Sequence, residues 1–267
     1  TVCRAVFTVY QNPFPCGKVF FFALEHSHCL FRAIFYAQDA GFTGVISTSH
    51  YMEGYYQVDA KERGTWIKAI GDNLESQNIN IKLYLGSEVY FSQNIVRLLE
   101  EGKASTINNT SYVLFEFPMN VKPMNIYDVI YEMLQYKLVP ILAHPERYAF
   151  VQENPDLIYD LIDKGVLMQG NYGSIIGIYG KKARVIMRKL LENDMIHFLG
   201  TDVHRQRSIY KKMPQILTEL EEIVGKSKLY ELTTINPGLV LENKKIEIAN
   251  PSHLKISLKD IIMMNLK

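Results

Sequence analysis

Five short segments bearing His, Glu or Asp stand at the ends of apolar runs: TSH ending at His50, GSE at Glu88, FEFP around Glu116, AHPER from Ala143 to Arg147, and TDVH from Thr201 to His204. Carboxylate oxygens and imidazole nitrogens in one set suit Mn2+, Fe2+ or Zn2+, and the absence of cysteine from the set argues against a structural zinc site. Two carboxylates on neighbouring strands can bridge metals; such a cluster acidifies a bound water and clamps the attacking and leaving oxygens of a phosphoryl group. Arg147, three residues after His144, is placed to fork onto the nonbridging oxygens of a phosphate. Arg205 and Arg207 flank the TDVH segment and are weaker candidates for the same task. One buried His or Glu is usually a satisfied polar group, so the argument rests on the set. Glu116, between Phe115 and Phe117, is costly to bury without a cation. His197, inside its apolar run, is read as a locally hydrogen-bonded residue, and His253 as exposed. Tyr51, Tyr55 and Tyr56, after His50, give a weak signal for a substrate mouth.

The runs preceding these segments are GVIS, KLYL, YVLF, VPIL and IHFLG. Helical patterns separate them: 28–40, 61–77 with Trp66, Ile67, Ile70 and Leu74 inward, a short one with Ile95, Leu98 and Leu99, 126–136 with Val129, Ile130 and Leu134 inward, one capped by Asn154 with Pro155 at its first position, 181–193 and 213–225. Strands alternating with helices imply parallel strands and right-handed crossovers. Six or seven such units over 267 residues fit a barrel, which opens all strand C-termini onto one face and so gathers the five segments. GNYGS and GIYGKK, from Gly170 to Lys182, read as a tight strand-to-helix connection in preference to an anion-binding loop. The stretch from Asn236 onward reads as irregular, packed on the barrel and not a separate domain.

Apolar residues make up 48% of the chain, enough for a large core, and 29 Lys plus Arg against 28 Asp plus Glu leave a net charge of +1. That balance gives no reason to expect nucleic acid as a partner. Cys3, Cys16 and Cys29 are odd in number and lack metal-site spacing, so free thiols in a reducing cytosol are expected. The run VFFFAL is too short to span a bilayer. A cytoplasmic protein without membrane insertion is the expectation.

AHPERY, FEFP, TSHY, the GKK helix entrance and TDVH resemble the PHP-domain (polymerase and histidinol phosphatase) metallophosphatases. AHPER followed by ENPDL, then GSIIGIYGKK, is most similar to the bacterial manganese-dependent protein tyrosine phosphatases of capsule and exopolysaccharide operons. The resemblance runs from about Ala37 to Asn243 and includes INPGLVLEN. It implies a single domain, a distorted (β/α)7 PHP-type barrel with parallel strands, holding two or three metals at the strand C-terminal ends. His50, Glu88, Glu116, His144, Asp202 and His204 would be ligands, with Glu88 bridging. Arg147 would bind substrate phosphate, with Arg207 or Arg205 nearest to a second phosphate-binding position. The implied substrate is a phosphotyrosine protein, notably a cognate bacterial tyrosine kinase. A small-molecule phosphatase of the histidinol phosphate kind and a catalytically impaired remnant acting as a binding protein are the alternatives.

The first 25 or so residues depart from the pattern. The family carries an HxH strand and a PGxDDG-type loop about 35 residues before the equivalent of His50, where this chain has VYQNPFPCGKV. Its only HxH is His26-Ser27-His28. Either the first strand has been replaced, as a reading-frame change would do, or a deletion has shifted His26 and His28 into service. The helix that aligns without a gap back to about Glu25 favours the first. The loss would leave one metal with only Glu88 and Asp202 and another with His50 and His204, while the site of Glu88, Glu116 and His144 stays complete.

Overall fold

The structure is a computed structural model that describes residues 5–8, 34–202, 209–248, 251, 253–254 and 257–265. Seven parallel strands form a closed barrel in chain order. They are β1 (Ala5–Thr8), β2 (Gly44–Tyr51), β3 (Lys82–Tyr90), β4 (Tyr112–Glu116), β5 (Val139–Ala143), β6 (Leu167–Asn171) and β7 (Phe198–Gly200). Pairing is longest between β2 and β3, eight positions from Gly44↔Lys82 to Tyr51↔Val89. It is shortest where the ring closes, at the single position Phe7↔Gly200. Parallel strands demand crossovers. These are α1 (34–39), α2 (Ala60–Ser76), α3 (Ile95–Glu100), α4 (Ile126–Gln135), α5 (Ala149–Glu153), α6 (Asp156–Asp163), α7 (Tyr172–Ile175) and α8 (Lys181–Glu192), followed by α9 (Met213–Tyr230), α10 (Asn236–Leu241) and α11 (Leu258–Asn265).

Side chains alternate across a strand, and register carries that parity around the ring: His50 pairs with Glu88, Glu88 with Leu114, Leu114 with Ile141 and Ile141 with Leu167. All therefore face the interior. Ile46, Leu114, Ile141, Ala143, Leu167 and Phe198 form the apolar filling, and Val240 and Ile246 close it from below. The same parity lifts His50, Glu88 and Glu116 to the opposite end, where the barrel opens. The larger core lies outside the ring, between strands and helices.

Several helical faces differ from the sequence pattern. On α2, Arg63 takes the inward position and Trp66 is 42% exposed. The guanidinium can be buried because Nη1 donates to the Gly86 carbonyl at 3.0 Å and Nη2 to Ser87 Oγ at 2.8 Å. On α4, Met133 is buried in place of Leu134, alongside Ile126, Val129 and Ile130. Asn154 makes no side-chain cap; Pro155 occupies the cap of α6, with Leu157, Leu161 and Ile162 buried as expected. The strand around IHFLG begins only at Phe198. The segment from Asn236 is more regular than expected. It forms α10, whose Asn236 donates to the His197 carbonyl at 3.0 Å, and Tyr112 Oη donates to the Lys244 carbonyl at 2.6 Å beneath the barrel. Among the described residues no helix is long and apolar enough to cross a membrane.

Candidate metal centre

His50 and Glu88 reach the barrel mouth from β2 and β3, Glu116 is the last residue of β4, and His144 follows β5 directly. His50 Nδ1 lies 2.7 Å from Glu116 Oε1 and 3.7 Å from Glu88 Oε2. His144 Nε2 lies 3.1 Å from Glu88 Oε1 and 3.5 Å from Glu116 Oε2. Glu88 is 1% exposed and His144 2%. His144 adopts φ 37°, ψ 54°, a left-handed conformation uncommon outside glycine, and turns its ring into the barrel from the strand end.

Two carboxylates side by side in a dry site need positive charge between them. Here protons supply it. Burial alone would depress His144, but its hydrogen bonds to Glu116 and Glu88 outweigh burial and carry its pKa up to about 10. Burial of His50 is likewise outweighed, chiefly by Glu116, and its pKa is raised. The two imidazoles overcome burial at Glu116 and hold it down at about 2. Glu88 moves upward, because burial and the neighbouring Glu116 charge both disfavour its ionised form. A divalent cation fits the same place. One ligand atom each from His50, Glu88 and Glu116 lie within 4.8 Å of one another, and Glu88 Oε2 is buried without a hydrogen-bond partner. Oxygen and imidazole donors of this kind suit Mn2+, Fe2+ or Zn2+.

Above the cluster is a cavity of about 230 Å³, lined by His50, Glu116, His144, Arg147 and Asp202 and walled by Met52, Tyr56, Tyr90 and Met119. Arg147 Nη1 bonds Asp202 Oδ2, and its guanidinium lies 4.2 Å from the centre of the Tyr179 ring. Asn171 Nδ2 donates to the same Asp202 oxygen at 3.1 Å. Asp202, at φ 48°, thus pairs directly with Arg147 at the cavity lining. His50 stands beside Glu88 and Glu116, in one group with His144. His26, His28, His204, Arg205 and Arg207 lie outside the described residues.

The sequence profile of a capsular polysaccharide synthesis family, CpsB/CapC, matches residues 24–242. This chain belongs to the CpsB/CapC family. The tyrosine-protein phosphatase YwqE of Bacillus subtilis is 29% identical over 215 residues, covering 80% of this chain and 84% of YwqE. A chain from the crystal structures of YwqE and of CpsB from Streptococcus pneumoniae, described as unique metal-dependent tyrosine phosphatases, superposes with a TM-score of 0.80 at 28% identity. It covers 86% of this chain and 93% of that one. The histidinol phosphate phosphatase of Lactococcus lactis, bound to zinc, L-histidinol and phosphate, superposes at a TM-score of 0.50 with 12% identity over 83% of this chain and 93% of that one, a likeness of fold.

The CpsB/CapC barrel mouth also holds residues that sequence reasoning passed over. Of the three tyrosines after His50, only Tyr56 lines the cavity; Tyr51 is buried and Tyr55 is 77% exposed. Tyr56 comes back to the mouth because the chain after β2 doubles over, with Met52 bridging Tyr56 and Glu53 bound to Arg97 at 3.0 Å. Tyr179, in the glycine-punctuated connection, carries no sequence signal for a contact with Arg147. Glu146 is fully buried behind the cluster, where its Oε1 accepts from the Asn171 N–H at 3.0 Å and Ser174 Oγ at 2.6 Å. Its HPER neighbours were the only cue to it.

Proposed function

We propose that this CpsB/CapC protein is a metal-dependent protein tyrosine phosphatase, hydrolysing the phosphomonoester of phosphotyrosine in a protein substrate. The observation that carries the proposal is the cluster of two Glu and two His beneath a cavity edged by Arg147. His50, Glu88, Glu116 and His144, with Asp202 and His204 of the TDVH segment, are the proposed ligands of two or three ions, Mn2+ first, with Fe2+ or Zn2+ also compatible. A bound divalent cation supplies a low-pKa water and neutralises phosphoryl charge. Arg147 binds and orients the phosphate: Asp202 and Tyr179 fix the plane of its guanidinium at the cavity edge, a geometry matched to two phosphate oxygens. Arg207 is proposed as the second phosphate ligand. Tyr56 and Tyr90 with Met52 and Met119 give an apolar wall suited to an aryl ring and limit water around the reacting centre. The proposed partner is a cognate tyrosine kinase, met in the cytoplasm. The names of the relatives support the reading.

The test is turnover of a phosphotyrosine peptide by protein loaded with Mn2+. Activity is expected, and His144→Ala should abolish it. No turnover by wild-type protein shown by elemental analysis to carry two metals would refute the assignment. Faster hydrolysis of histidinol phosphate than of the peptide would move it to a small-molecule phosphatase.

A further inference from the structure

We propose that Tyr148 is a positioning residue for the metal centre: its hydroxyl ties together the two strand ends that carry Glu116 and His144. The inference rests on the metal-centre reading above. The β4–β5 ladder stops at Phe115↔Leu142, just where both strands begin to bear ligands. Past that point Phe117 N–H and the Ala143 carbonyl have no ladder partner in the opposite strand. The phenol enters between them. Tyr148 Oη accepts from Phe117 N–H at 2.9 Å and donates to the Ala143 carbonyl at 2.9 Å. One oxygen thus replaces a rung of the sheet and sets how far the strands diverge. Glu116 precedes Phe117 and His144 follows Ala143, so each bond acts one residue from a ligand.

The rest of the surroundings make this oxygen immobile. Tyr148 is fully buried. Its ring is stacked on Phe150, centroids 5.5 Å apart and 9° between planes; it lies 5.5 Å from Phe117 and 5.3 Å from the His144 ring. On the other side of Glu116, Phe91 N–H donates to the Glu116 carbonyl at 2.8 Å. The backbone at Glu116 and Phe117 is therefore held by Phe91, just past β3, from one flank and by Tyr148 from the other. Residues that orient ligands in this way commonly change metal affinity about 10- to 100-fold when removed.

The experiment is calorimetric titration of Mn2+ into metal-free full-length Tyr148→Phe, which keeps the ring and deletes the oxygen. A fall in Mn2+ affinity of about 10-fold or more is expected, with folding retained by circular dichroism. Tyr112→Phe is the comparison: it deletes the phenol hydroxyl of another buried tyrosine, the one bonded to the Lys244 carbonyl below the barrel, and should leave Mn2+ affinity unchanged. If Tyr148→Phe does not fold, Phe150→Leu retains the hydroxyl but loosens the ring, and an intermediate fall in affinity is expected. Mn2+ affinity equal to wild type in the folded Tyr148 variant, or in Phe150→Leu when that variant has to serve, overturns the inference, as does an equal fall in Tyr112→Phe. Wild-type protein that takes up none of Mn2+, Fe2+ and Zn2+ overturns the metal centre itself, and this inference with it.

Discussion

Metal uptake by this cluster should expel protons, and the amount follows from the geometry. In the metal-free barrel His144 shares its Nε2 proton with Glu88 and Glu116, and its pKa is lifted to about 10. The raised pKa means that the proton is bound at neutral pH and must leave before the nitrogen can ligate. At pH 7 that removal costs about 4 kcal/mol, three units at 1.36 kcal/mol each, or about a thousandfold in apparent affinity. The cost shrinks by one unit for each unit of pH, so Mn2+ affinity should rise at least about tenfold between pH 7 and pH 8. His50, also raised, adds to the proton count in the same direction. Titration calorimetry in two buffers of different protonation enthalpy counts the protons directly. At least one proton per cluster is expected at pH 7. Zero release, with the same affinity at both pH values, would refute the picture of imidazolium protons occupying the cation's place.

Two other perturbations have equally definite expectations. His197 is buried and neutral, with Nδ1 accepting from Met168 N–H at 3.0 Å, and burial pushes its pKa down to about 3; the unfolded chain binds the proton first, so stability falls as pH drops below about 6.5, by about 2 kcal/mol between pH 7 and 5. Urea midpoints of wild type against His197→Asn should show that increment only in wild type, and identical pH dependence would count against it. A Cβ built on Gly200 would come within 2.1 Å of Gln169 Nε2 inside the barrel, so Gly200→Ala should cost about 1–3 kcal/mol in urea unfolding, most of it recovered when Gln169→Ala is added.

The cluster of His50, Glu88, Glu116 and His144 was legible because polar residues at the C-terminal ends of apolar strands violate the local pattern, and a parallel barrel opens those ends onto one face. Helical faces were less legible. Trp66 and Arg63 compete for the inward side of α2, and hydrophobicity alone picks the tryptophan; the outcome depends on Gly86 and Ser87, more than twenty residues away, offering acceptors to a guanidinium. Leu134 and Met133 are adjacent and equally apolar, so only the rotation of α4 on the barrel separates them. Tyr179 and Tyr148 were unreadable for a related reason. Each acts through a contact between segments whose spacing in the chain says nothing about their approach. The left-handed turn at His144 follows from a strand end that must point its side chain inward, and no residue preference announces it.

The floor of the barrel has a consequence for synthesis. The interior layer built from Ile46, Leu114, Ile141, Leu167 and Phe198 is completed by Val240 and Ile246, which leave the ribosome after every strand has been made. Until then the assembled strands hold an apolar surface open to water at one end. A nascent chain halted near residue 235 would therefore carry its whole set of proposed ligands and still be a substrate for chaperones and proteases. The arrival of α10 and the residues just after it decides when the first strands become a finished vessel.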